Sequence, residues 1–476
     1  MIKNLIIGII ALLAGSFFQS CSISPVKTTK DTTVKFEYQV AQKPPMGWNS
    51  YNCFGGNVTE AEVKDNADYM AEKLKPFGWE YIVVDFLWYC DDQTSAEKFS
   101  NRRPHQYIDE YGRLIPSVKL HPSSEGGKGL KPLGDYIHSK GLKFGLHIMR
   151  GIPRQAIAGN TPIKNSSAKA AEVANLADTC IWYGGLTGVN MTKEGSQEYY
   201  DSLFKLYADW GVDYIKVDDI VYPYHADEIE AVTKAIVKCG RPIVLSLSPG
   251  PAFIGNPKHL RENANLWRIS GDFWDKWSAL KRQLELCRDW APLVTEGHWP
   301  DADMLPLGRL NIRTELKDGK PRNTNFTKDE QYFLMTLWSI FRSPLMFGGN
   351  LPDNDEFTTS LITNQEVIRV NQNSKNNKEI SFENGISIWT ADDKETPVKY
   401  MAVMNITDIP QTILLPLDLA GISGNVTVRN LWTNTELTGT KKGFELILPA
   451  HGAILLSLNT KKLSLNIKSN TNYKNS

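Results

Sequence analysis

The stretch WGVDYIKVDDI, residues 210–220, sets three acids and a lysine inside an apolar run. Its centre, YIKVDD (214–219), has the length and β-branched content of a strand. Alternate strand residues share a face, so Lys216 and Asp218 point one way and Val217 and Asp219 the other. Charged groups inside a sheet are costly unless they pair or perform chemistry. Two readings therefore stand. One is a structural buried ion pair. The other is the floor of a site, where Lys216 holds Asp218 ionised as a nucleophile requires.

Similar runs recur along the chain: PPMGWNSY near 44–51, YIVVDF at 81–86, KFGLHI at 143–148, IVLSLS at 243–248, LWRIS at 266–270, DADML at 301–305 and SPLMFGG at 343–349. Helical stretches such as TEAEVKDNADYMAEKLKPFG and SQEYYDSLFKLYADWG lie between them, each ending near a glycine. Eight strands alternating with helices predict a (β/α)8 barrel over residues 40–375. From about 378 the pattern changes to short strands with polar turns: ISIWTAD, YMAVMNIT, QTILLPL, VTVRNLW, FELILPA and GAILLSL. This predicts a C-terminal antiparallel β-sandwich domain, 376–462, followed by a disordered tail, 463–476.

The 476 residues suffice for more than one domain, and the 53 basic and 53 acidic residues balance, which gives no support for a nucleic-acid partner. Thirteen Trp and eighteen Tyr suit the apolar faces of sugars, but they equally suit a core. The opening MIKNLIIGIIALLAGSFFQSC (1–21) reads as a secretory signal. Its Gln-Ser-Cys end resembles a bacterial lipoprotein cleavage site with Cys21 as the lipidated residue. Residues 22–39, rich in Thr and Lys, read as a tether. The expectation is an exported protein anchored to a membrane, in the periplasm or at the cell surface. Five cysteines follow Cys21, an odd number, and Cys53 and Cys90 are candidates to pair across the barrel mouth.

In a (β/α)8 barrel chemistry collects at the C-terminal ends of the strands. Asp85 ends YIVVD, Asp218 ends YIKVD, Arg268 lies in LWRIS and Asp272 follows in the loop. Asp272, within ISGDFWDKW, has apolar and aromatic neighbours in sequence. Burial there would raise its pKa and favour a proton donor; the plain alternative is a helix N-cap. Asp219 reads as structural and Asp275 as a helix-surface residue. Two carboxyls in unlike surroundings fit glycoside hydrolysis.

At these residues the sequence resembles glycoside hydrolase family 27, the α-galactosidase and α-N-acetylgalactosaminidase group, from about Pro44 to about Leu458. PPMGWNSYNCFGGNVTE is similar to the family's opening strand, WGVDYIKVD to its nucleophile strand and WRISGDFWDKW to its acid/base segment. DYIHSKGLKFGL, WPDADMLPLG, LWSIFRSPLMFGGNL, RNLW and PAHGAILLSL follow in the family's order. The resemblance implies an exo-acting, retaining enzyme of oligo- or polysaccharides with a covalent glycosyl intermediate. Asp218 would be its nucleophile and Asp272 its acid/base, about 5–5.5 Å apart. It further implies that Lys216 and Arg268 contact sugar hydroxyls, that Trp48 lines the pocket and that Asp85 binds near the 4-hydroxyl. No metal or organic cofactor is implied.

The sequence departs from that pattern in three places. Phe86 replaces the second acid of the family's Asp-Asp at strand 2, which holds the 6-hydroxyl side of galactose. A phenyl ring suits a sugar without that hydroxymethyl, such as β-L-arabinopyranose, unless another loop supplies the acceptor. Ser248 matches the N-acetylgalactosaminidase type at strand 5, but Pro249-Gly250-Pro251 follows it in place of the usual residues. Strand 3 carries His147, Arg150 and Arg154 in place of a Tyr-x-Asp sequence. Those arginines suit a charged or branched substrate, or else ion pairs with Asp91 or Asp92. The resemblance favours a retaining exo-α-galactosidase that releases terminal α-D-galactosyl, or similarly configured, residues; the alternatives are the same mechanism on another sugar (a β-L-arabinopyranosidase or an isomaltodextranase type) and a glycan-binding lipoprotein without catalysis.

Overall fold

A computed structural model describes residues 39–91, 105–313, 320–423, 425–438 and 443–460. The leader, Cys21, the tether, Asp92 and the C-terminal tail lie outside the described residues. Eight parallel strands build the barrel: β1 Met46–Asn49, β2 Tyr81–Val84, β3 Lys143–Met149, β4 Tyr214–Asp218, β5 Val244–Leu247, β6 Leu266–Arg268, β7 Trp299–Asp301 and β8 Leu345–Phe347. Their hydrogen-bonded order is β7-β6-β5-β4-β3-β2-β1-β8. Closure comes just past β7, where Leu305 bridges Phe347 and the Leu305 N–H donates to the Met346 carbonyl at 2.7 Å. The seventh strand thus ends at Asp301, earlier than the DADML run suggests.

Period-two alternation decides what each strand offers the barrel interior. Tyr81, Val83, Tyr214, Val244, Leu266 and Trp299 form a cluster of their own. Their neighbours Ile82, Val84, Ile215, Val217, Leu245 and Trp267 belong to the main core with the surrounding helices. The same alternation carries Lys216 and Asp218 on the face of Tyr214. Trp48 pairs in register with Ile82 and Phe347, both in the main core, so the interior position at the end of β1 falls to Asn49.

The helices end where the sequence stops them. Helix Glu60–Tyr69 opens on a capping box between Thr59 and Glu62 and runs on through Leu74 and a short turn to Gly78, at φ 96°. Helix Ser196–Asp209 is followed by Gly211 at φ 82°. A side chain other than glycine would strain both chain reversals.

After β3 an insertion folds into a small antiparallel sheet of Ile152–Pro153, Leu186–Val189 and Ala174–Thr179, which the strand count from sequence does not contain. The C-terminal domain is a six-stranded antiparallel sheet facing a two-stranded one, Gln411–Leu414 with Glu445–Leu448. Its first strand, Ser374–Glu383, is polar and also escapes the sequence reading. Strand Ile386–Asp393 is apolar on both faces for a reason. Ile386 and Ile388 join the sandwich core, whereas Trp389 and Ala391 join the barrel's core. Among the described residues no helix is long and apolar enough to cross a membrane. None of the five described cysteines forms a disulfide. Cys53 and Cys90 are therefore not linked, and the Cys53 thiol instead lies 3.5 Å from the Ser50 carbonyl it turns back to meet.

Candidate active site

The C-terminal ends of the strands surround a cavity of about 340 Å3. Asp85, Phe86, Lys216, Asp218, Arg268 and Asp272 all line it. Trp48 and Ser248 do not. Trp48 is fully buried behind β1, its indole N–H donating to the Gly349 carbonyl at 2.8 Å. Ser248 is buried one residue past β5, and its hydroxyl has no partner among the described residues. Pro249 and Gly250 form the wall there instead. A Cβ on Gly250 would come within 2.5 Å of the Ser270 carbonyl oxygen, so only glycine lets this loop lie against the end of β6.

Asp85 is locked on every side. Asn49 Nδ2 donates to its Oδ2 at 2.6 Å and Lys216 Nζ at 3.1 Å, while the Phe86 N–H takes Oδ1 at 2.9 Å. Burial alone would raise its pKa. Lys216, His147, Asn49 and the Phe86 N–H more than reverse this, holding the carboxyl well below its ordinary value. The lysine thus bonds Asp85 across the barrel, and not its strand neighbour Asp218 as same-face spacing suggests. The direct partner of Asp218 is His147 on β3, with Nε2 3.0 Å from Oδ2. The Asp219 N–H donates to Oδ1 at 2.7 Å. Against the opposing effect of burial, His147, Lys216 and that N–H lower the Asp218 pKa.

Arg268, fully buried at the end of β6, reaches Asp303 at 2.6 Å, the Gly271 carbonyl at 2.6 Å and Asp272 at 3.3 Å. Asp272 is 63% exposed, so the apolar burial expected around it is absent. It is not a helix cap either, because that helix begins at Trp277 behind Lys276. The buried carboxyl here is Asp303, which also lines the cavity and accepts the Phe273 N–H at 2.7 Å. Burial, opposed by Arg268 and assisted by Asp272, pushes its pKa up to about 6. Asp275, expected on a helix surface, is instead buried and clasped by Arg322 and the Asn325 N–H.

Arg150 does not face the cavity. Its guanidinium bonds Asp219 Oδ2 at 2.9 Å, Asp178 at 2.8 and 3.0 Å and Glu228 at 2.7 Å, leaving no capacity for a charged sugar. His225 joins Asp178 and Glu228 in an arrangement of metal-ligand type, but the Arg150 cation already holds both carboxylates. Asp91 accepts hydrogen bonds from Tyr107 and Ser117 and pairs with neither arginine. Arg154 starts the helix Arg154–Ala158 outside the cavity lining.

Phe86 is packed edge-on against His147 and Tyr183, with centroids 5.5 and 5.0 Å away, and tilted against Trp182 at 5.7 Å. Trp182 and Tyr183 arrive on the insertion after β3. Asn49, His147 and Asp303 are the site residues that sequence reasoning did not assign. For Asn49 and His147 the signal is present, since each lies on the alternating strand face that runs into the site, His147 in register with Lys216; Asp303 lies past the end of β7, where alternation gives no guide.

A closed parallel barrel with carboxylates, a lysine and an arginine at its C-terminal mouth can support glycoside hydrolysis, and similarity to known proteins assigns it to that class. The family model described as Alpha galactosidase A matches residues 179–373, and that of the Alpha galactosidase C-terminal beta sandwich domain matches residues 383–458. A solved GH27 β-L-arabinopyranosidase from Geobacillus stearothermophilus is 50% identical, with a TM-score of 0.84 over 88% of this chain and 97% of that one. Alpha-galactosidase A of Cellvibrio japonicus is 27% identical over 90% of this chain and 94% of its own length. The alpha-galactosidase of Cyamopsis tetragonoloba is 28% identical over 84% and 82%. The chain belongs to glycoside hydrolase family 27.

Proposed function

We propose that this enzyme is a retaining exo-glycosidase for terminal pyranosides of galactose ring configuration, and that it prefers β-L-arabinopyranosides to α-D-galactosides. The observation that carries the sugar choice is Phe86, a buried ring in the cavity wall directly after the locked Asp85. An apolar wall at that point favours a ring carbon without a hydroxymethyl, because a hydroxyl against it would lose its hydrogen bonds to water. The arabinopyranosidase relative supports the same choice.

In this reading Asp218 attacks the anomeric carbon as Asp272 gives its proton to the departing oxygen, leaving a glycosyl ester. Asp272, now a carboxylate, then takes a proton from water, whose oxygen displaces the ester and restores Asp218. Lys216 and Arg268 bond sugar hydroxyls while neutralising Asp85 and Asp303. The same reading has the chain exported and held at a membrane through lipid on Cys21. The test is hydrolysis of paired nitrophenyl glycosides, with Asp218→Asn as control. A higher kcat/KM on β-L-arabinopyranoside is expected. A clear preference for α-D-galactoside would reject the sugar assignment, and a fully active Asp218→Asn would reject the nucleophile.

A further inference from the structure

Trp182 lines the cavity beside Phe86, yet the segment that carries it has little to hold it from outside. Strand Ala174–Thr179 has no buried residue, and Leu176 and Ile181 are open to solvent. What fixes the segment lies beneath it. Four residues before Trp182, Asp178 sets both carboxylate oxygens on the buried Arg150 guanidinium, at 2.8 and 3.0 Å. Thr187 Oγ1 donates to the Asn175 and Asp178 carbonyls at 2.6 and 2.8 Å, across the irregular pairing of this strand with Leu186–Val189. Gly188 leaves room for the ion pair: a Cβ there would lie 2.5 Å from Asp178 Oδ2 and 2.6 Å from Arg150 Nη1. The Cys180 thiol, a weak hydrogen-bonding group, faces the Asp219 carboxyl and the Trp182 and Tyr183 N–H groups.

A bidentate arginine–carboxylate pair fixes orientation as well as contributing energy. Trp182 and Phe86 are adjoining parts of one aromatic wall, so the space beside that wall depends on where both rings stand. Phe86 is buried against His147 and Tyr183, whereas Trp182 is only half-buried and depends on its segment. We infer that Trp182 is a specificity-determining residue for the terminal sugar, and that Asp178, paired with Arg150, is the positioning residue that holds it. Asp178 itself does not line the cavity. The insertion after β3 thus sets sugar choice from outside the pocket. This rests on the reading that the wall at Phe86 meets the ring carbon where galactose carries its hydroxymethyl. Loss of Asp178 should leave the fold in place, because Arg150 keeps Asp219 and Glu228 at 2.9 and 2.7 Å.

The test follows one ratio, kcat/KM on α-D-galactoside over that on β-L-arabinopyranoside, in the wild type, Trp182→Ala, Asp178→Asn and Gly188→Ala. A variant that merely folds less well loses both activities together and leaves the ratio where it was. Trp182→Ala should raise it by about tenfold. Asp178→Asn and Gly188→Ala disturb the ion pair from its two sides, and each should raise it by about threefold. The ratio is read with the nitrophenyl glycosides and again with α-D-galactosyl fluoride and β-L-arabinopyranosyl fluoride, whose leaving group is a single atom. The same rise is expected with both pairs. A ratio unchanged or lowered in Trp182→Ala overturns the wall, and one unchanged or lowered in both Asp178→Asn and Gly188→Ala overturns the positioning. A rise confined to the nitrophenyl pair would set Trp182 against the leaving group and overturn the inference as well. A wild type that prefers α-D-galactoside rejects the proposed sugar instead, and the change in ratio between variants still decides for or against Trp182 and Asp178.

Discussion

His147 Nε2 stands 3.0 Å from Asp218 Oδ2, while the Asp219 N–H holds Oδ1 at 2.7 Å. Both carboxylate oxygens thus have a donor before any sugar arrives. Replacing His147 by Ala removes the largest influence opposing burial, so the Asp218 pKa should rise. The acid limb of the kcat/KM profile should move to higher pH. His147→Gln retains a donor and should leave that limb close to its wild-type position. A His147→Ala profile superimposable on the wild type would remove His147 from this role.

Phe86→Ala should turn substrate preference. With the ring gone, space opens beside Asp85, and the ratio of α-D-galactoside to β-L-arabinopyranoside activity should rise by about tenfold. The paired nitrophenyl substrates read this directly. The variant should also lose about 3 kcal/mol of stability through the cavity left among His147, Trp182 and Tyr183, which thermal unfolding would detect.

Asp272→Ala should slow hydrolysis of substrates with poor leaving groups by about 10²–10⁴-fold and spare the glycosyl fluoride much more. Azide should restore turnover by taking the place of the water that Asp272 activates. If Asp303→Asn shows the azide rescue and Asp272→Ala does not, the acid/base is the buried carboxyl and not the exposed one.

Asp219 offers a stability test with a definite sign. Burial, against the opposing Arg150, lifts its pKa to about 6, above an unfolded value of about 3.9. Folding then favours the protonated form. Wild-type stability relative to Asp219→Asn should be greatest below pH 4 and decline as pH climbs through 6, by roughly 2–3 kcal/mol. Melting curves of both proteins at pH 4, 5, 6 and 7 measure it. A difference that grows with pH would reverse the assignment.

Cys21→Ala should move the protein from the membrane fraction to the soluble fraction of its host while leaving activity on the fluoride unchanged. An unaltered distribution would mean that nothing is anchored through Cys21.

The barrel was legible because its strands are short apolar runs between helices with clear stop signals such as Gly78 and Gly211. The site was legible where charged residues interrupt those runs, as at Asp85, Lys216, Asp218 and Arg268. The resemblance sets Trp48 in the pocket where alternation points the other way. The rule that puts Lys216 and Asp218 on one face also turns Trp48 away and Asn49 inward. Lys216 was paired with its strand neighbour because sequence spacing displays contacts along a strand and hides those across a barrel, where Asp85 waited 131 residues away. Ile269 and Phe273 are buried and Trp274 lines the cavity wall, yet Asp272 itself stays exposed, so aromatic neighbours in sequence do not become burial in space. The sheet after β3 was missed for a similar reason. Two of its strands are half-exposed or only two residues long, and the third, Leu186–Val189, is buried but has Thr187 and Gly188 where an apolar run would be.

The backbone that carries Asp218 is held from several directions. Its carbonyl accepts the Arg150 N–H at 2.9 Å, Arg150 Nε bonds the next carbonyl at 2.6 Å, and the same guanidinium is fastened to Asp178 and Glu228. A carboxylate mounted in this way has no slack with which to approach a target. If Asp218 is the nucleophile, as proposed, the displacement that turns a glycoside into an ester would have to be made by the sugar. Its anomeric carbon would swing from the departing oxygen towards a stationary carboxylate while the far side of the ring stayed in place.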